Sequence, residues 1–321
     1  MRERLFERVV NILNRAGFVT SERCDIRPSS FDLAARRGDQ LLLLKVLSNI
    51  DGLSEEAALE IKKLAAYLLA HPLIVGERTS DHRLETGAVY LRYGIPAINC
   101  ETLREYFIEE IPPLVYAAPG GLYVNIDGEE LREVRMKKQL SLGDLASLMG
   151  VSRRTIRKYE EGMDATIDAA IKLEEILETP IAKPIDLLGF EVELERTPLE
   201  SLNLSVLEKH VLEMLIEIGF DVLPTMRSPF DALSKDKSTT ILTGISEHRE
   251  ISMKKVRLMS SISRVARAQS IYIVEKIGKS TQIGDTVLLH KDELKKIEDA
   301  SEFVNLIEDK KHQARRRGII T

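Results

Sequence analysis

The chain has little of what usually announces a catalytic centre, a disulfide scaffold or a membrane protein. Its 321 residues include only two cysteines, Cys24 and Cys100, which are far apart and suggest neither a disulfide framework nor a zinc site. Nothing basic stands near Cys100 in sequence to lower its pKa, so burial is expected for it rather than reactivity. The six histidines, His71, His82, His210, His248, His290 and His312, form no ligand-spaced cluster, so no metal cofactor is expected. No apolar run is long enough to span a bilayer; "GDQLLLLKVL" is too short and reads as a buried strand. The opening "MRERLFERVV" is charged and amphipathic, unlike a secretory signal. There is no net positive charge either, the formal value being −5, but local distribution decides whether nucleic acid is a partner. What remains is a soluble globular balance of 44% hydrophobic and 30% charged residues, long enough for two or three domains. A cytoplasmic protein with no membrane partner is the expectation.

The segment 1–113 alternates strands and helices, the signature of an α/β domain. In "ERLFERVVNILNRAG", Leu5, Val9, Ile12 and Leu13 form one helical face ending near Gly17. "FDLAARRGDQLLLLKVL" reads as a hairpin turning near Arg36-Arg37-Gly38-Asp39. "SEEAALEIKKLAAYLLA" reads as a helix with Ser54 as N-cap and Glu56 near the capping-box position. "HPLIVGER" and "AVYLRYGIPAIN" read as strands and "ETLREYFIEE" as a closing helix. In the connector 114–128, two apolar runs flank Pro119-Gly120-Gly121, a hairpin signal whose exposed edge could pair with another subunit. From 129 to 189 the pattern is all-helical, and "GFEVELERTPLESLN" then reads as a second linker.

The last segment, 190–321, repeats features of the first. A helix ends in Gly-Phe at Gly17 and at Gly219; Phe-Asp follows at Phe31-Asp32 and at Phe230-Asp231; a polar turn and an apolar strand come next. After a further helix, "AVYLRYGIPAIN" is set against "TVLLHKDELKKI". The reading is a diverged internal duplication, one α/β unit at each end with a helical module between.

Within that module, "VSRRTIRKYEEG" (151–162) places four cations in the six positions 153–158. In a helix N-capped by Ser152, Ile156 and Tyr159 share a face with Val151 and can pack on Leu145, Ala146 and Met149. Arg153, Arg154, Arg157 and Lys158 are left outward, in pairs four apart. Gly150 stands where the preceding helix must stop and turn, a place for positive φ. From Leu131 to Lys158 there are eight cations and two anions in a chain that is acidic overall. Helix, glycine turn and basic helix suit insertion into a major groove.

"LREVRMKKQLSLGDLASLMGVSRRTIRKYEEG" resembles the helix-turn-helix of the phage repressor and Cro-like family over roughly sixty residues. The resemblance implies a second helix over about 142–149 and a recognition helix over 152–159. Ser141, Ser152, Arg153, Arg154, Thr155, Arg157 and Lys158 would then be the DNA-contacting residues. Leu145, Ala146, Gly150, Val151, Ile156 and Tyr159 would build the module. Leu142 and Gly143 depart from the family, in which a phosphate-holding glutamine often opens the second helix; Arg153 and Arg154 stand where a polar base-reading residue often lies.

"SSFDLAARRGDQLLLLKV" resembles the core of restriction-endonuclease-like enzymes, particularly archaeal Holliday-junction resolvases. By that resemblance Asp32 and Lys45 match an Asp…Glu-x-Lys metal site, but Leu43 stands at the glutamate. In the second copy Asp231 matches, while "TILTG" supplies neither acid nor lysine. Asp32, Lys45 and Asp231 are therefore degenerate metal candidates, and no catalysis is expected.

The expected fold class is α/β plus all-α. Two restriction-endonuclease-like α/β domains, 1–113 and 190–321, flank a repressor-like helix-turn-helix domain of four to five helices at 129–189. The arrangement resembles a group of archaeal helix-turn-helix regulators. Double-stranded DNA is the expected partner, with a homodimer to read two half-sites, an effector of unknown identity and no cofactor. The end domains would serve dimerisation, sensing or extra DNA contact. The basic tail "DKKHQARRRGIIT" could add phosphate contacts or be a solubilising end. A metal-dependent nuclease and a partner-binding module using the helix-turn-helix as docking surface are the competing classes.

Overall fold

The computed structural model describes residues 2–190, 203–246, 252–275 and 281–316. The second linker and the end of the basic tail fall largely outside these. The first α/β segment runs α1 (Arg2–Arg15), β1 (Val19–Thr20), β2 (Leu33–Arg37), β3 (Gln40–Asn49), a short 3-10 turn, α2 (Glu55–Leu68), β4 (His71–Arg78), β5 (Ala88–Arg92), β6 (Ile95–Ile98) and α3 (Cys100–Ile108). The hairpin β7 (Val115–Ala118) and β8 (Gly121–Val124) follows. The helical module contains α4 (Gly128–Lys137), α5 (Leu142–Met149), α6 (Arg153–Glu160), β9 (Ala165–Thr166) and α7 (Ile167–Leu177). The last segment runs α8 (Val206–Glu217), β10 (Asp221–Pro224), β11 (Ala232–Lys235), β12 (Thr240–Ser246), α9 (Met253–Ala266), β13 (Gln269–Val274), β14 (Gln282–Ile283), β15 (Thr286–His290), α10 (Lys291–Leu294) and α11 (Ala300–Arg316).

The chain divides into two compact units, and the division does not follow the sequence segments. One unit takes Met1–Ile12, Leu47–Gly52 and Ile74–Phe190; the other takes Leu13–Val46, Leu53–Leu73 and Glu191–Thr321.

In the first unit, β5 pairs antiparallel with β6 across the tight turn at Tyr93-Gly94, so "AVYLRYGIPAIN" is a hairpin rather than one strand. β7 joins β5 in parallel, β8 pairs with β7, and β9 pairs with β8. The connector hairpin therefore has both edges occupied within the chain, which removes it as the free edge for a second subunit. Its Val124, with the following Ile126, enters the same core as Leu131, Leu145, Ile156, Tyr159 and Leu173 of the helices. The connector is thus packed into the helical module rather than strung beside it.

In the second unit, the C-terminal sheet has the order β10-β11-β12-β13-β15-β14. Its β13 and β15 are parallel, while β14 and β15 form an antiparallel pair. The N-terminal segment shows the same pattern, with β4 and β6 parallel and β5 and β6 antiparallel. This supports the duplication and corrects its register. β15 is the counterpart of β6, not of β5, so "TVLLH" aligns with "IPAIN". The short apolar strands look alike in sequence, and only the pairing partner tells them apart.

The two copies interlock within this unit. From α2, Glu60 accepts hydrogen bonds from the Met226 and Arg227 N–H groups (3.2 and 2.7 Å) and from the Ser228 hydroxyl (2.9 Å). Tyr67 donates to the Asp221 carbonyl. Reciprocally, α9 meets β2 and the segment that follows β1. The Glu22 N–H donates to Ser261 Oγ (2.7 Å), and the Arg36 guanidinium donates to the Val265 and Ala266 carbonyls at the end of α9 (2.6 and 3.2 Å). Cationic donors suit the unpaired carbonyls of a helix C-terminus.

Candidate nucleic-acid interface

The helix-turn-helix is set by caps written into the sequence. Ser141 caps α5: its Oγ accepts from the Asp144 N–H (3.1 Å) while its own N–H donates to the Asp144 carboxylate (2.8 Å). Those Ser141 bonds, together with the nearby Arg153 charge, hold the Asp144 carboxyl below its ordinary value. Gly150 ends α5 in the left-handed region at φ 73°, and Lys172 Nζ donates to the Met149 carbonyl (3.0 Å). Ser152 caps α6, its Oγ accepting from the Thr155 N–H (3.1 Å). Leu145, Ala146, Met149, Ile156 and Tyr159 are buried together, with Val151 partly buried against them. Gly150 is exposed, so its contribution is the turn itself.

Arg153, Arg154, Arg157 and Lys158 are all exposed on the opposite side of α6. With Ser141 they line a groove of about 720 Å³ between α5 and α6, which also includes Glu161. Thr155 is half-buried and shares a hydrogen bond with Ser152 (2.9 Å), so it serves the cap before any ligand. Not every cation of the segment faces outward. Arg135 is buried, donating to Glu160 (2.5 Å) and to the Leu140 carbonyl (2.8 Å), and Lys138 pairs with Glu178 (2.8 Å). Arg132 and Lys137 remain exposed. Arg135 lies four residues after Leu131 and beside Val134, on the buried stripe of α4, which is the sequence signal that marks it.

Two residues outside the expected set matter here. Gly143, in the first turn of α5, lies directly under the Arg153 guanidinium: a Cβ at this position would come within 2.9 Å of Arg153 Nε and Nη2. Tyr116 of β7 donates to the Asp164 carboxylate just after α6 (2.5 Å), and burial with that contact pushes its hydroxyl up to about 12. A glycine in the first turn of a helix was a visible oddity; the Tyr116–Asp164 contact left no signal in sequence.

The degenerate metal candidates take up matching places in the two copies. Asp32 accepts from the Val46 N–H (3.0 Å) and Asp231 from the Ile245 N–H (2.6 Å), in each case fourteen residues onward. Their own N–H groups donate to the Leu44 and Thr243 carbonyls, both at 2.8 Å. Lys45 Nζ lies 3.6 Å from Asp32 and bonds the Ser29 carbonyl at 2.5 Å, while Arg27 adds a third charge at 3.3 Å. In the second copy Gly244 stands at the lysine position, with Tyr272 packed against it, and Lys255 of α9 supplies the ammonium at 2.7 and 2.8 Å from Asp231. Burial pushes the Asp231 carboxyl up, against the pull of Lys255. The magnesium that an endonuclease-like fold implies does not fit these residues. Leu43 is apolar where the resemblance puts a glutamate, and in the second copy Lys255 already holds both carboxylate oxygens of Asp231. Cys100 is buried, and burial pushes its thiol up to about 11.

Comparison with known proteins agrees with this architecture. Residues 2–113 match the model of a PD-(D/E)XK superfamily domain, and residues 131–183 match a helix-turn-helix model. A protein of Methanocella arvoryzae with the provisional name HTH-type transcriptional regulatory protein is 52% identical over 95% of this chain and 96% of its own length. The chain belongs to this archaeal family. A member from Methanococcoides burtonii is 49% identical over 95% of this chain and 96% of its own, and one from Natronomonas pharaonis is 44% identical over 96% and 98%. As in the family's name, the helix-turn-helix is the recognisable functional module, here joined to α/β segments of nuclease-like fold. No solved structure matches the chain. No helix among the described residues is long and apolar enough to cross a membrane.

Proposed function

We propose that this chain is a sequence-specific DNA-binding transcriptional regulator in which α6 enters the major groove. The observation that carries this reading is the division of α6 into a buried apolar side and an exposed side bearing Arg153, Arg154, Arg157 and Lys158. Arginine and lysine in this position neutralise phosphates and can bind guanine edges. Ser141 and Ser152 lie at the N-termini of α5 and α6, where free amides favour phosphate. Arg132 and Lys137 add backbone contacts, and Arg135 does not. A single helix-turn-helix reads few bases, so a homodimer on two half-sites is part of the proposal. So are the division into 1–113, 114–128, 129–189 and 190–321, the cytoplasmic location, and sensing of an effector by the end segments.

The test is selection of fragmented source-genome DNA at near-physiological salt, with an Arg153→Ala/Arg154→Ala variant beside it. A shared motif that the variant fails to enrich is the expected result. Enrichment of nothing by either protein would redirect the search to a partner protein. The family's nuclease-like domain makes hydrolysis the second reading to test. Supercoiled and branched DNA should stay intact with Mg²⁺ or Mn²⁺; cutting that Asp32→Ala abolishes would reverse this assignment.

A further inference from the structure

Gly143 occupies the second position of α5, where alanine would make a firmer helix. The atoms nearest to a Cβ built at Gly143 belong to the guanidinium of Arg153: 2.9 Å to Nε and Nη2 and 3.1 Å to Cζ. Arg153 is the first residue of α6, yet its side chain lies back across the first turn of α5, beside the Ser141 cap. An arginine seated there must leave Gly143 before it can project from α6 toward base edges. Where it sits, it flanks the groove between the two helices together with Arg154, Arg157 and Lys158. A groove with four cations on its walls suits a backbone phosphate, which accepts hydrogen bonds on several oxygens and carries no sequence information.

We infer that Gly143 positions Arg153 as an anchor for a DNA backbone phosphate, so that Arg153 supplies affinity and the base preference resides elsewhere on α6. The inference rests on the DNA-binding reading above. It also accounts for the missing polar residue at the start of α5: the following helix provides the cation, and Gly143 makes room for it.

The experiment measures affinity for the enriched site and for an unrelated duplex across a salt series, in the full chain. The proteins are the wild type, Gly143→Ala, Arg153→Ala, their double variant, and Arg154→Ala, each with a thermal melt. Gly143→Ala and Arg153→Ala should weaken both duplexes by a similar factor and leave the ratio between them unchanged. Each should lower the slope of log affinity against log salt by about 1. The double variant should bind no more weakly than Arg153→Ala alone. Gly143→Ala should melt no lower than the wild type, which separates positioning from a structural role. A collapse of the site-to-unrelated ratio in Arg153→Ala would make that residue a base reader and overturn the inference. Wild-type binding by Gly143→Ala would remove the positioning role. If the wild type itself shows no salt-dependent affinity for either duplex, the DNA-binding reading fails first.

Discussion

Arg135 shows how much one side chain can mislead when charges are only counted. It is a cation in the most basic stretch of the chain, yet it is buried and paired with Glu160 at 2.5 Å. Removing one partner of a buried pair leaves the other charge without compensation. Arg135→Ala should therefore cost about 3 kcal/mol in urea unfolding, and Arg135→Met with Glu160→Leu should recover most of it. Gly150 is a second residue whose role is local. At φ 73°, Gly150→Ala should cost about 1 kcal/mol, measured the same way. The glycine was legible because a helix had to stop between two apolar-patterned segments. Arg135 was legible too, from its place beside Leu131 and Val134, but only if position on the helix is weighed above charge.

At the scale of elements, capping decides where the helices of the module begin. Asp127 caps α4, accepting from the Glu130 N–H at 3.2 Å, with Lys183 at the same distance. The Glu130 N–H, followed by the lysine, lowers the Asp127 carboxyl from its ordinary value of 3.8. An acid lowered in the folded state contributes stability that is fully present above the ordinary value and is lost as the pH falls through the folded value. Asp127→Ala should cost about 1 kcal/mol at neutral pH. Asp127→Asn keeps the cap but not the charge, so its stability should differ from the wild type at neutral pH and converge with it in acid. Paired urea titrations across that range check this. The bounds of α5 and α6 were readable from Ser141, Gly150 and Ser152 because caps are local chemistry. The pairing of β7 with β5 and of β8 with β9 was not, since strand edges have no fixed partner in sequence.

For the whole molecule, the informative feature is that β1 to α2 of the first copy pack reciprocally with the second copy inside one compact unit. Glu60 of the first copy accepts from two N–H groups and a hydroxyl of the second. Burial pushes its carboxyl up, against the pull of those donors. Glu60→Ala leaves two backbone donors without an acceptor and should cost about 2 kcal/mol, with the 203–246 segment becoming more sensitive to limited proteolysis. Similar or greater protease resistance in the variant would show that the copies are held together by other contacts.

The sequence alone determined the class of each segment and the helix-turn-helix with its caps, and it pointed to the duplication. These are properties of spacing, residue type and local hydrogen bonding. Tertiary structure decided which copy of a short strand matches which and which cations face solvent. It also decided that Lys255, from a helix rather than a strand, neutralises Asp231. The reason is physical: periodicity specifies a face, whereas the partner a face meets depends on the packing of residues distant in the chain.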